Sequence, residues 1–327
     1  MKAFALQSFD QPPAFVDVAE PAPGPGEVLV RVQASSVNPV DWLVSSGFFR
    51  SIQEYRFPAV FGRDVSGVVE RVGPGVTQFV PGDRVFGFVK REHIGDGTFA
   101  ELVAVPQDFF VTATPEHVST AAAGVLGLSG VTALECVEAV GAGPGRVVLV
   151  NGAAGGVGSF AVQLAVALGA SVIATARPGA EADHVRAMGA AQVVDWTAGD
   201  LVEQVRAMAG DGVDGLVDLV KHSSSMSIGQ DEDEAHRYFA HLCKGVLRVG
   251  GRAASVTNGG VPELLDEIEC LNVHSTPSPA SLDRLGALVQ TGAVVAPIHQ
   301  TFPFGDLPAA FDRLADGRVL GKLSIVY

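Results

Sequence analysis

Charge is scarce in this chain, and so is cysteine. Only 18% of the 327 residues are charged, against 47% hydrophobic. That composition supplies a packed core and excludes a disordered chain. The charge present leans acidic: 36 Asp and Glu against 22 Lys and Arg give a formal net charge of −14. Such a surface repels a phosphate backbone, so no nucleic-acid partner is expected. Cys136, Cys243 and Cys270 are scattered, odd in number and form no CxxC pair. This excludes a disulfide framework and a cysteine-rich zinc lobe, and leaves small buried hydrophobes as their role. No apolar run reaches the roughly 18 residues of a membrane-spanning helix. Met1–Leu6 reads directly as strand, with no charged n-region, apolar h-region or cleavage signal. A soluble, cytoplasmic protein is expected.

Glycine, by contrast, is plentiful (39 residues) and spread along the chain, as tight turns in an α/β protein require. The length suits about two domains at roughly 150 residues each. Up to about Gly124 the sequence reads as short strands separated by Pro/Gly turns: Glu27–Ala34, Val65–Val72, Asp83–Phe88 and Phe99–Val105, with PAPGPGE, VGPGV and VPGD between. From about Thr120 the period changes. Helical Ala121–Val140 leads to the apolar run Arg146–Asn151. Then come helix 159–168, strand 171–176, helix 180–188, strand 192–195, helix 200–209, strand 215–220, helix 234–245 and strand 252–256. Strands alternating with helices of this length predict a doubly wound parallel sheet with right-handed crossovers. The expected division is residues 1–120, 121–276 and 277–327, the last carrying helix 281–291 and a return to the first domain. No internal repeat is visible. His222–His236, HSSSMSIGQDEDEAH, fits neither strand nor helix and is expected to be a loop, either solvated or acting as a lid.

The strongest chemical signal is NGAAGGVG, residues 151–158, between an apolar strand and an amphipathic helix. Gly152, Gly155, Gly156 and Gly158 allow a sharp turn and a close approach of a pyrophosphate, which Ala154 and Val157 flank. The first-turn N–H groups of the helix then hold the anion. In the NAD form of this motif an acidic residue ends the second strand. Here the strand ends Thr175-Ala176-Arg177, which offers a hydroxyl and a guanidinium to a 2′-phosphate, so NADPH is expected. Glu181 and Asp183 just beyond keep NADH open.

These motifs carry a resemblance over essentially the whole chain. VNPVDW (37–42), FPAVFGRDVSGVVERVGPGV (57–76), PGDRVFG (81–87), GTFAELVAV (97–105), LSGVTALE (128–135), GAAGGVG (152–158) and GKLSIV (321–326) are similar to the zinc-independent medium-chain reductases of the quinone oxidoreductase (zeta-crystallin-like) type. The resemblance implies a GroES-like catalytic domain beside a Rossmann domain, an active site between them, and a homodimer formed through Rossmann sheet edges. It places Asn38 near the nicotinamide, Thr132 at its carboxamide, Val256-Thr257-Asn258 along it, and Lys322 near the cofactor. The zinc alcohol dehydrogenase branch has a Cys near Asn38 and a His after Gly62. Here NPVD and GRD stand instead, and no three-ligand metal site is assembled.

Many relatives carry a tyrosine at Leu43 or just after Gly47, where Phe48-Phe49 stand. Its absence leaves the proton donor open. Asn38, Asp41 and Thr132 are the candidate catalytic groups, with Asp41 equally suited to bracing its own loop. Tyr55 and His93 suit surface or packing roles. Trp42, Phe48, Phe49 and Phe61 suit either a substrate slot or the core. The expected activity is hydride transfer from NADPH to a quinone or an α,β-unsaturated carbonyl compound. The alternative is an NADPH-binding protein with a structural or regulatory role and weak catalysis.

Overall fold

The computed structural model describes residues 1–222 and 232–327. It divides into two compact units, the first built from Met1–Val131, Thr276–Gly292 and Ile298–Tyr327, the second from Thr132–Ser275 and Ala293–Pro297.

The first unit is β-rich. Its larger sheet runs in the order Ile298–Pro303, Lys322–Val326, Glu27–Val37, Asp64–Val72, Arg84–Phe88 and Val111–Ala113, and Leu102–Pro106 also pairs with Glu27–Val37. Alternation explains why Glu27–Val37 is central: Val28, Val30 and Val32 point into one buried cluster with Val65, Val85 and Val103. A smaller sheet orders Ala14–Asp17, Lys2–Leu6, Glu54–Val60 and His93–Asp96. Phe4, Phe61 and Phe99 fill the adjoining core with Phe302, Leu323 and Ile325 from the chain's end. Phe61 is therefore core, whereas Trp42 is 40% exposed. Tyr55 donates to the Val44 carbonyl at 3.0 Å and packs edge-on against Phe9, a packing role.

The second unit is a six-stranded sheet, every neighbouring pair parallel, in the order Gln192–Val194, Ser171–Thr175, Val147–Asn151, Val213–Asp218, Leu247–Ser255 and Glu269–Asn272. This is the 3-2-1-4-5-6 order of a doubly wound dinucleotide-binding sheet. The strand Val213–Asp218 is buried at every position, as both-face coverage demands.

Several boundaries differ from the sequence reading. The helix expected over 121–140 is two, Thr120–Ala123 and Gly127–Ala139. A Cβ on Gly124 would stand 2.7 Å from that of Ala34, so the chain passes too close to the sheet there for a continuous helix. The first unit correspondingly runs to Val131 rather than stopping at residue 120. The Leu128 N–H, bonded to Asp64 Oδ1 at 2.6 Å, ties the start of the second helix to it. Residues 293–297 belong with the second unit because the Gln163 amide grips Val295, donating to its carbonyl and accepting its N–H. Within His222–His236, residues 232–236 are helical, the start of Glu232–Val246. Phe239, Leu242, Cys243 and Val246 form a buried stripe at helical spacing, and Asp233 and Glu234 sit at the favourable end of the helix dipole. The remainder of the expected loop, 223–231, lies outside the described residues.

Candidate functional site

In the second unit the site grows from the carboxyl edge of the parallel sheet. Strand Val147–Asn151 delivers the chain to Gly152 at φ 82°, a left-handed conformation that glycine adopts without strain. Helix Gly156–Ala167 follows, with Gly155 as an extended N-cap that has no capping side chain. Its first-turn amides are thus left for an acceptor outside the helix. A Cβ on Gly158 would stand 2.2 Å from the Gly152 carbonyl oxygen, so only glycine lets the helix start this close to the turn. A bare, positively polarised helix end in a glycine cradle fits the pyrophosphate of a dinucleotide.

A buried polar chain underlies the turn. Thr175 Oγ1 accepts the Gly152 N–H at 2.9 Å and donates to Asn151 Oδ1 at 2.9 Å. Asn151 Nδ2 donates to Asp218 Oδ1 at 2.7 Å, and Asp218 Oδ2 lies 2.9 Å from His222 Nε2. The imidazole lies tilted by 40° against the Tyr238 ring, with 4.6 Å between centroids. Thr175 is 3% exposed and its hydroxyl braces the glycine turn. Asn151 and Asp218 were missed by the sequence reading, although polar residues ending two apolar strands were the available signal. The strand register sets Asn151 beside Asp218 and Asp218 beside Ser255.

Arg177 is also engaged. Its Nε donates to Glu181 Oε1 at 2.8 Å, Nη2 reaches the same oxygen, and its backbone N–H donates to Oε2 at 2.8 Å. The guanidinium lies 5.9 Å from the centroid of the half-exposed Trp196 ring. Thr132 shares a buried hydroxyl–hydroxyl contact of 2.5 Å with Ser275. Thr257 follows the strand Leu247–Ser255 and donates its N–H to Ser255 Oγ at 3.2 Å. Val256 is partly buried, and Asn258 is exposed at φ 60°, a conformation asparagine tolerates.

In the first unit three strand ends converge. Lys322–Val326 and Asp64–Val72 both pair with Glu27–Val37, which brings Lys322, Asp64 and Asn38 together. Asn38 Nδ2 donates to Asp64 Oδ2 at 2.9 Å, and Ser36 Oγ donates to the same oxygen. Lys322 Nζ donates to Asn38 Oδ1 and to the Val37 carbonyl at 3.4 Å, and lies 3.7 Å from Asp64 Oδ2. Burial lowers the Lys322 pKa, with Asp64 and Asp41 opposing.

Asp41 stands at the third position of the short helix Pro39–Ser45 and takes the Asn38 N–H on Oδ2 at 2.8 Å, closing a capping box. Its Oδ1 is buried without a partner. Burial pushes the Asp41 pKa up to about 7 against the pull of the Arg63 guanidinium and the Asn38 N–H. A carboxyl that exchanges its proton near neutrality is suited to acid–base work. Oδ2 braces the loop through the Asn38 N–H. His93 pairs with Asp96 at 2.7 Å. Among the described residues, no cluster of three or more His, Cys, Asp or Glu side chains is arranged to hold a metal ion.

Comparison with known proteins matches residues 24–116 to the alcohol dehydrogenase GroES-like domain and residues 156–229 to the family described as zinc-binding dehydrogenase. The mitochondrial NAD(P)H oxidoreductase RTN4IP1 of Mus musculus is 30% identical, with 91% of this chain and 81% of that protein covered. The 2-methylene-furan-3-one reductase of Solanum lycopersicum is 29% identical, covering 94% and 74%. Among solved structures, the quinone oxidoreductase from Coxiella burnetii superposes with a TM-score of 0.83 at 27% identity, covering 100% of this chain and 99% of that one.

Proposed function

The chain belongs to the medium-chain dehydrogenase/reductase family of NAD(P)H-dependent oxidoreductases, and from that premise we propose that it reduces quinones or α,β-unsaturated carbonyl compounds with NADPH and without zinc. The observation that carries the cofactor assignment is the uncapped helix start at Gly156 in its glycine cradle. Backbone groups of Gly152, Ala154, Gly155, Gly156, Val157 and Gly158 hold the pyrophosphate. Arg177 meets the 2′-phosphate by exchanging its Glu181 partner for it. Thr132 and Val256-Thr257-Asn258 border the nicotinamide. When bound, the reduced nucleotide supplies the hydride.

The chain's own groups orient and move protons. Lys322 fixes the Asn38 amide by hydrogen bonding its oxygen, and Asn38 presents its N–H to Asp41. Asp41 holds or releases a proton at Oδ1. The stretches Asn38–Asp41 and Gly62–Asp64 offer aspartate, asparagine and arginine rather than the His and Cys of a catalytic zinc site. The acceptor class is supported by the likeness to proteins named for quinone and methylene-furanone reduction. A homodimer through the edge strand Glu269–Asn272, whose Leu271 is 51% exposed, completes the proposal.

The test is nucleotide binding followed by turnover. Calorimetry is expected to show NADPH binding, and a panel of quinones, 2-alkenals and enoyl thioesters is expected to include at least one substrate that consumes it. Binding without turnover on any acceptor would overturn the reductase in favour of a structural or regulatory nucleotide-binding role. Stoichiometric zinc in active protein would overturn the zinc-free assignment, and a monomer by light scattering the dimer.

A further inference from the structure

Arg63 is a partly buried cation of the first unit. It follows Gly62, whose φ of 91° and close approach to the Phe99 ring (2.7 Å for an added Cβ) fix the direction of the turn. Its guanidinium is partly buried, and burial lowers its pKa against the opposing pull of Asp41 and Asp64. A guanidinium has five N–H donors. Among the described residues, none of those on Arg63 reaches a protein acceptor within hydrogen-bond or ion-pair distance. The other cations near it are engaged: Arg91 donates to the Ala104 carbonyl at 2.6 Å and to Glu27 at 3.3 Å, and Lys322 serves Asn38.

Arg63 lines a cavity of about 40 Å³ together with Asp41, Gln53, Arg91 and His93. Two further unmet groups belong to the same lining, the buried Asp41 Oδ1 and the buried Arg91 Nε. A space of that size takes about one or two waters or the oxygen end of a larger molecule, not a ring. Donors without a protein partner beside a small cavity are free for an acceptor from outside to complete the hydrogen bonding. A guanidinium favours an oxygen that carries negative charge.

We propose that Arg63 binds the substrate oxygen that becomes negative during reduction. The inference rests on the reductase reading and names the group that stabilises its charged intermediate. With hydride supplied by a bound reduced nucleotide, a C–H bond would form at the β-carbon of an unsaturated carbonyl acceptor, or an O–H bond at one oxygen of a quinone. The π electrons shift to the acceptor oxygen, which becomes an enolate for an unsaturated carbonyl, or the phenolate of a hydroquinone monoanion at the second oxygen of a quinone. Arg63 meets this oxygen with charge-assisted N–H donors. A proton added at carbon, or at oxygen for the hydroquinone, completes the product and leaves oxidised nucleotide. Asp41, in its acid form, offers a second donor on the same cavity, as buried neutral carboxylic acids do in other oxyanion sites.

A phenolate imitates the enolate without turning over, so the test does not depend on activity. 4-Nitrophenol is titrated into the protein loaded with oxidised nucleotide, and its ionised fraction is read from absorbance. The parent is expected to bind the phenolate and to raise its ionised fraction. Arg63→Gln is expected to weaken phenolate binding about 10- to 100-fold, with Arg63→Lys intermediate because it keeps the charge and loses the planar fork. Nucleotide affinity should remain near parental in both. Phenolate binding by Arg63→Gln within about twofold of the parent, or none by nucleotide-loaded parent, overturns the proposal. If Arg63→Gln does not fold, Arg63→Lys decides, and parental phenolate affinity in it overturns the proposal. Failure of the parent to bind nucleotide instead overturns the reductase reading, and this inference with it.

Discussion

Lys322 and Asn38 lie 284 residues apart in the chain yet share a buried hydrogen bond, the ammonium donating to the amide oxygen. The same lysine is 3.7 Å from Asp64, a carboxylate with no solvent exposure. The pair is therefore both an electrostatic balance and the means by which the Asn38 amide is held in one orientation.

Removing that cation leaves a buried carboxylate without its counter-charge. Lys322→Met is expected to lower unfolding stability by about 3–5 kcal/mol, measured by denaturant titration. A loss below about 1 kcal/mol would show that Ser36, Asn38 and the Leu128 N–H satisfy Asp64 unaided.

Asp41 makes stability depend on pH. Its folded-state pKa of about 7 stands above the ordinary 3.8, so between these values the native state holds more protons than the unfolded chain. Stability is then highest at the acid end of this window and falls as pH rises from about 4 through about 7, by an amount of the order of 4 kcal/mol at most. Asp41→Asn is expected to flatten the profile. An unchanged slope in the variant would show that other groups set it.

The glycine turn makes a contrast between two single-methyl changes. Gly158→Ala places a carbon 2.2 Å from a backbone oxygen, whereas at Gly155 the nearest such atom is 3.6 Å away. Gly158→Ala is expected to lose about 2 kcal/mol or more, and Gly155→Ala to stay within about 0.5 kcal/mol of the parent. Thermal unfolding with and without NADPH reads both. Equal stabilities would show that the helix start can move aside.

Glu181 competes with a 2′-phosphate for Arg177. Because the pair is partly exposed, freeing the guanidinium is worth only a modest gain. Glu181→Gln is expected to tighten 2′,5′-ADP binding about threefold relative to 5′-AMP, and Arg177→Ala to abolish the preference. Identical ratios in all three proteins, measured by calorimetry, would exclude Arg177 from the phosphate contact.

Much of the second unit was legible in the sequence. Alternating apolar strands and amphipathic helices have periods that neighbours in the chain reveal, and NGAAGGVG names its own turn. The Arg177–Glu181 pair was also readable, being four residues apart. Thr175 was not, because a strand residue near the sheet end can face either way. Its inward direction follows from Asn151 and Gly152, 24 and 23 residues earlier. The break at Gly124 depends on contact with Ala34, and the cluster around Asn38 depends on strands from both ends of the chain. Local pattern carries no record of such meetings. Arg63 looked like an ordinary motif residue until the absence of partners around its guanidinium could be seen.

The place of the last strand has a consequence for biosynthesis. Lys322–Val326 lies between Glu27–Val37 and Ile298–Pro303, so the first unit's larger sheet has a gap until residue 326 has been translated. Asn38 and Asp64 are made early and wait, in the nascent chain, for an ammonium group that is added 258 residues after Asp64. The second unit's parallel sheet needs no residue beyond Asn272 and can assemble meanwhile. Termination between Pro297 and Lys322 would spare the nucleotide cradle and leave the Asn38 cluster without the lysine's positive charge.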